Sequence, residues 1–109
     1  MNLKIDLQEG KKESVLYLDG EVDVYTAPNL KESLYPLAEE SGKKVIVDLK
    51  NVNYIDSTGL GIFIGALKAT DKSNSKLVIR GVDARVKRLF EITGLNEVMD
   101  IVSDQREEV

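Results

Sequence analysis

Neither cysteine nor histidine occurs in this 109-residue chain. Without cysteine there can be no disulfide, no thiolate nucleophile and no cysteine-bound zinc. Without histidine there can be no Ser-His-Asp triad, no histidine metal site, no phosphohistidine and no imidazole switch near neutral pH. An excess of basic charge is also missing. The formal net charge is −4, which argues against a nucleic-acid partner. Long hydrophobic runs are absent as well. The longest apolar-rich stretch, Leu60 to Leu67, falls far short of the roughly 20 residues that span a bilayer. The opening MNLKIDLQEG alternates apolar and polar residues and lacks the apolar centre of a secretory signal. These absences point to a cytoplasmic protein that uses no membrane, metal or cofactor.

Enough apolar material remains for one packed domain. Hydrophobic residues make up 42% of the chain, which suits a single core without disulfide or metal staples. Leu3, Ile5 and Leu7 alternate with polar residues, as in a half-buried strand. The polar segment Gln8 to Lys12, with Gly10, reads as a hairpin turn into a strand from Val15 toward Val22. Thr26 is a candidate helix N-cap ahead of Ala27 and Pro28, and Leu30, Leu34, Leu37 and Ala38 share one helical face. Pro36 falls inside that helix, where it predicts a bend rather than a break.

The β-branched run Val45 to Leu49 suits a central strand, extended irregularly from Lys50 to Ile55. From Leu60 the period changes, with Leu60, Phe63, Ile64 and Leu67 on one helical face. Asp71 to Lys76 reads as a polar loop and Leu77 to Ile79 as another strand. Asp83 caps a helix carrying Val86, Leu89 and Phe90, and Gly94 ends it at the position that favours a left-handed backbone. Val98 to Val102 reads as a last strand. The acidic tail from Ser103 to Val109 is expected to be a frayed helix or disordered. The predicted class is α/β: a small mixed β-sheet covered by helices, in one domain over residues 1–104 with a tail at 105–109.

The junction Asp56-Ser57-Thr58-Gly59-Leu60-Gly61 joins a strand pattern to a helix pattern. If the helix begins at Thr58, Ser57 is its N-cap, and capping alone is a sufficient reason for serine there. Gly59 and Gly61 both fall in the first turn, where each costs up to about 1 kcal/mol relative to alanine. Two explanations fit such a pair: another molecule approaches closely, or the helix packs against the sheet. Glu21 and Asp23 sit two apart at a strand end, which places both on one side. They could do acid/base work, hold a cation, receive a partner's basic side chains or be solvated; no base or nucleophile pattern supports catalysis. Gly59-Leu60-Gly61 is no phosphate loop, since no Lys-Ser/Thr pair follows. It is no dinucleotide fingerprint either, because Ile64 stands where the third glycine would be. Ser73 to Lys76 matches S-x-x-K by spacing alone. Arg80, Arg85, Lys87 and Arg88 read as a solvated surface balancing 19 acidic residues.

Taken together, Gly20-Glu21-Val22-Asp23, Val47-Asp48-Leu49, Tyr54 to Gly61 and Arg88 to Leu95 resemble the STAS-domain anti-anti-sigma factors, over nearly the whole chain and in order. The resemblance implies a non-enzymatic antagonist that binds an anti-sigma factor which is also an ATP-dependent serine kinase. Binding releases the sigma factor for transcription. It implies that the kinase phosphorylates Ser57, that the phosphoprotein lets go and that a PP2C-type phosphatase resets it. Thr58 is the weaker second acceptor. Glu21, Asp23, Asp56, Ser57, Thr58, Gly59, Leu60 and Gly61 are the partner-binding residues it implies. The alternatives are a STAS-type nucleotide-binding module or a component of a larger stress-sensing complex.

Overall fold

The computed structural model describes residues 2–103. The expected tail at 105–109 and the domain boundary at 104 lie outside the described residues. The elements run in the order β1 (Leu3–Glu9), β2 (Glu13–Val22), α1 (Ala27–Ala38), β3 (Lys44–Ile55), α2 (Ser57–Lys72), β4 (Lys76–Val82), α3 (Ala84–Ile92) and β5 (Asp100–Ser103), with a short 3-10 turn at Leu95–Glu97.

The five strands form one sheet in sequence order. β1 and β2 are an antiparallel hairpin, with Ile5 opposite Leu18. β2, β3, β4 and β5 are mutually parallel. Each parallel step moves one strand in the same direction, and such crossovers are right-handed. All three helices therefore pack on the same face. Leu16 and Leu18 of β2, Val45, Val47 and Leu49 of β3, and Leu77 and Ile79 of β4 meet Leu30, Leu34, Phe63, Val86 and Phe90 of the helices in one core cluster. The rings of Phe63 and Phe90 lie 6.4 Å apart and link α2 to α3. Truncating a fully buried member such as Leu34 to alanine costs about 2–5 kcal/mol.

The opposite face carries Val15, Ile46 and Val78 in register across β2, β3 and β4. Beside them, Arg80 Nε donates to Asp48 Oδ2 at 2.9 Å and its guanidinium lies over the Tyr17 ring. That hydrogen bond holds the Arg80 pKa above the usual arginine value. Arg80 is thus tied into the sheet. Arg85, Lys87 and Arg88 lie exposed on α3, as their spacing predicts.

Most expected elements are present, with two shifts. α1 runs through Pro36 without a break, as expected. α2 extends to Lys72, so Asp71 belongs to the helix rather than to the loop, and the turn is confined to Ser73, Asn74 and Ser75. Ser73 Oγ donates to Ala38 O at 2.7 Å and Ser75 Oγ to Glu40 O. These serines therefore close the C-terminal end of α1, a structural role that the S-x-x-K spacing does not convey. The last strand begins at Asp100, leaving Val98 outside it. Gly94 has φ +77°, as expected of the residue that stops α3.

Candidate functional site

β2 and β3 end side by side, with Val22 paired to Ile55 and Glu21 to Tyr54. The chain leaves β3 at Asp56, whose N–H donates to Val22 O at 3.1 Å, and enters α2 at Ser57. This places the junction expected from the sequence at the C-terminal edge of the parallel strands, beside the loop that follows β2.

The cap is Asp56, not Ser57. Gly59 N–H donates to Asp56 Oδ1 at 2.9 Å, and Asp56 has the extended backbone of an N-cap. Ser57 is the first helical residue, one place later than a capping role requires. Its side chain is exposed and its hydroxyl has no hydrogen-bond partner among the described residues. Asp56 also has a second task, since Val24 N–H donates to its Oδ2 at 3.2 Å. One carboxylate thereby ties the helix start to the β2–α1 loop.

That loop is braced from inside by Asp23. The side chain is 3% exposed, and its Oδ1 accepts from Tyr25 N–H at 2.9 Å and Thr26 N–H at 3.0 Å. Thr26 answers: Asp23 N–H donates to Thr26 Oγ1 at 2.9 Å, and the Thr26 hydroxyl donates to Glu21 O at 2.8 Å. Thr26 does stand at the N-cap of α1, but its hydroxyl turns back into the loop rather than onto a helix amide. The expectation that Glu21 and Asp23 present two carboxylates to one side is corrected. β2 ends at Val22, so strand alternation no longer governs Asp23, which points inward. Glu21 is half-buried. Among the described residues, Glu21 Oε1 and Asp23 Oδ2 are both buried with no hydrogen-bond partner.

The two glycines of the first turn have different causes. A Cβ on Gly59 would lie 2.7 Å from Val22 Cγ1 and 2.8 Å from Val22 O. Gly59 lets α2 seat against the end of β2, which is the packing explanation. A Cβ on Gly61 would meet nothing within 4 Å, so no contact among the described residues requires glycine there. Leu60 is buried in the core. Gly59 and Leu60 thus shape the junction and offer no side chain to a partner.

Three exposed apolar side chains border the junction: Val24 at 53%, Tyr25 at 75% and Tyr54 at 50% exposure. Motif reading passes over Val24 and Tyr25. The signal for them was present, because both are large apolar residues in a segment belonging to neither the strand alternation nor the helical face. The described surface at this edge therefore consists of Glu21, Val24, Tyr25, Tyr54, Asp56, Ser57, Thr58 and Gly61.

Residues 4–108 match the family model described as the STAS domain. The chain belongs to the STAS family. Its relatives include an anti-sigma-B factor antagonist of Staphylococcus aureus, 46% identical over 101 residues, covering 93% of this chain and 94% of that protein. Another is an anti-sigma-B factor antagonist of Bacillus subtilis, 43% identical over 101 residues, with coverage of 93% and 92%. Among solved structures, a Thermotoga maritima chain aligns with a TM-score of 0.84 at 21% identity, covering 95% of this chain and 89% of its own. At that identity it speaks to the fold alone. The five-strand mixed sheet with three helices described above matches the solved STAS structures. Among the described residues no helix is long and apolar enough to cross a membrane, and no group of three or more acidic side chains is placed to hold a metal ion.

Proposed function

We propose that this STAS protein is an anti-sigma factor antagonist controlled by phosphorylation of Ser57. The unmodified chain binds an anti-sigma factor that is also an ATP-dependent serine kinase, and in doing so frees the sigma factor for transcription. The kinase then transfers a phosphate to Ser57, the complex dissociates, and a PP2C-type phosphatase restores the binding form. The work is done by binding, in the cytoplasm where sigma factors meet RNA polymerase.

The observation that carries this reading is the position of Ser57. Its hydroxyl is exposed, holds no structural hydrogen bond among the described residues and sits on the first turn of a helix. Modification there costs the fold nothing that it uses. A phosphate adds about −1.5 to −2 charges. The helix N-terminus favours an anion by about 0.3–1 kcal/mol, and repulsion from Asp56 opposes that gain. The two nearly cancel in stability, whereas burying the phosphate against a partner requires stripping its water at a cost of several kcal/mol. Thr58 is also exposed, one residue further into the helix, and is the lesser acceptor.

Mixing the chain with its cognate anti-sigma factor and ATP, then locating phosphate by mass spectrometry, tests the reading. Ser57 should be the modified residue, and the modified chain should no longer displace sigma factor. Phosphate elsewhere, or a Ser57→Ala chain that is still modified and released, would refute it.

A further inference from the structure

We propose that Val24 and Tyr25 are the apolar anchor of the docking face and that Asp56 is the residue that positions them beside Ser57. This rests on the antagonist reading above and specifies how the same face grips its partner.

Scattered exposed apolar residues are ordinary on protein surfaces. Val24 and Tyr25 differ in being adjacent on a turn pinned from two sides. From within, Asp23 Oδ1 accepts from the N–H groups of Tyr25 and Thr26. From the α2 side, Asp56 Oδ2 accepts from the N–H of Val24. The backbone of the turn is fixed while its two large side chains stay in solvent, at 53% and 75% exposure. A rigid aromatic on a fixed backbone gives up little entropy when it enters a pocket, and tyrosine is enriched among the residues that dominate binding energy. The turn is continuous with the phosphorylation site, because the residue that holds it, Asp56, immediately precedes Ser57.

The occupant is the anti-sigma factor, through an apolar slot rimmed by basic side chains. Asp56 touches the anchor through Val24 N–H, Glu21 stands at the end of the adjoining strand, and the chain carries a net charge of −4, so a cationic rim is the complementary one. Gly61, with open space where a side chain would be, leaves room for that rim to come close to α2.

Asp56 acts here through geometry more than charge. Both of its oxygens are engaged by backbone donors, Oδ1 by Gly59 and Oδ2 by Val24. Asparagine puts an NH2 donor where aspartate has its second acceptor oxygen, so one of the two N–H groups would face a donor. Because the bond to Gly59 is the shorter, at 2.9 Å against 3.2 Å, Asp56→Asn should keep the cap and release Val24.

The test compares wild type, Tyr25→Ala, Asp56→Asn, the double variant and Ser57→Asp. It measures affinity for the purified cognate anti-sigma factor and amide hydrogen exchange on the free chain. Tyr25→Ala is expected to weaken binding by about 10–100-fold while leaving the melting temperature unchanged. Asp56→Asn is expected to speed exchange at Val24 about tenfold or more, with protection at Val47 and Ile79 retained. The double variant should lose less than the product of the two single losses, because the latch acts through the turn that carries both anchors. Wild-type affinity in Tyr25→Ala, unaltered Val24 exchange in Asp56→Asn, or losses that multiply in the double variant would each overturn the proposal. If Tyr25→Ala weakens binding and Ser57→Asp does not, the anchor stands and the phosphorylation switch falls. A wild-type chain with no affinity sinks the antagonist reading and the anchor's docking role together.

Discussion

Asp56 Oδ2 accepts the Val24 N–H at 3.2 Å, joining two loops 32 residues apart in the chain. With its other oxygen on Gly59 N–H, the same carboxylate sets where α2 begins and where the β2–α1 turn sits. Ser57, next to it, does neither. Stability should therefore divide sharply between these neighbours. Ser57→Ala is expected to fall within about 0.5 kcal/mol of wild type, as for a surface change that breaks nothing. Asp56→Ala should cost about 1–2 kcal/mol, the loss of a cap with a second amide released. Urea unfolding of both variants checks this, and a Ser57→Ala loss as large as that of Asp56→Ala would restore the serine to a capping role.

The two first-turn glycines should also part company. Gly59→Ala drives a Cβ against Val22 Cγ1 and the Val22 carbonyl, and the backbone atom cannot turn aside as a flexible side chain would. A cost of about 1–3 kcal/mol is expected. Gly61→Ala enters open space and should stabilise the chain by up to about 1 kcal/mol through helix propensity. Its affinity for the anti-sigma factor should nonetheless drop, because the added methyl group occupies the partner's approach. Thermal melts paired with binding isotherms separate the two effects; a Gly61→Ala chain that is more stable and binds normally would remove Gly61 from the interface.

The hydrophobic periods made the sheet, the three helices and most of their order readable in advance. Val45 to Leu49 and Leu77 to Ile79 carry the apolar density of buried parallel strands, and Gly94 marks the end of α3 through a backbone angle that few other residues tolerate. The buried face of α2 was only half legible. Leu60 and Phe63 are in the core, but Ala66 and Thr70 complete the buried stripe, while Ile64 and Leu67 lie at its margin. The reason is tertiary. α1 presses on α2 through Tyr35, whose side chain occupies the space where Gly65 would otherwise carry a Cβ, and no local period encodes that contact. At the site, the motif located the junction, but it could not distinguish residues that shape the junction from residues that face outward. Asp23, Gly59 and Leu60 resemble contact residues in sequence and are buried. Val24 and Tyr25 resemble filler between elements and are exposed. That distinction depends on β2 ending at Val22, and strand ends are set by pairing with β3 rather than by composition.

Tyr35 offers a pH test of the helix layer. Its hydroxyl donates to Ile62 O at 3.0 Å, and desolvation by burial raises its pKa above the usual 10.0. The folded state thus favours the neutral phenol. Stability from this contact is fully present below about pH 10 and is lost as pH rises through the raised value. Tyr35→Phe should cost about 1 kcal/mol near pH 8, the net worth of one hydrogen bond. The gap should narrow as pH climbs past 10, because only the wild type has an ionisation there to oppose. Denaturant midpoints for both proteins across pH 8–11 test this, and a gap that widens with pH would show that Tyr35 is not neutral in the folded state.

Phosphorylation of Ser57 should change affinity far more than stability. On the helix first turn, the gain of about 0.3–1 kcal/mol from the dipole is offset by the Asp56 carboxylate on the preceding residue, so the melting temperature should move by no more than a few degrees. Against a partner surface the same group faces a desolvation cost of several kcal/mol, and each 1.4 kcal/mol is about tenfold in affinity. A loss of at least about 100-fold is expected for the phosphoprotein. Ser57→Asp carries about half to two-thirds of the charge and should lose less. The salt dependence separates charge from size: if repulsion at the rim dominates, raising the salt concentration should recover part of the affinity of Ser57→Asp, since exposed charges are screened within about 8–10 Å at moderate ionic strength. The buried, fully charged phosphate should respond less. Calorimetric titration of the three forms at two salt concentrations distinguishes these terms, and a phosphoprotein that melts far below wild type would mean that the modification acts by unfolding the junction instead of by blocking its face.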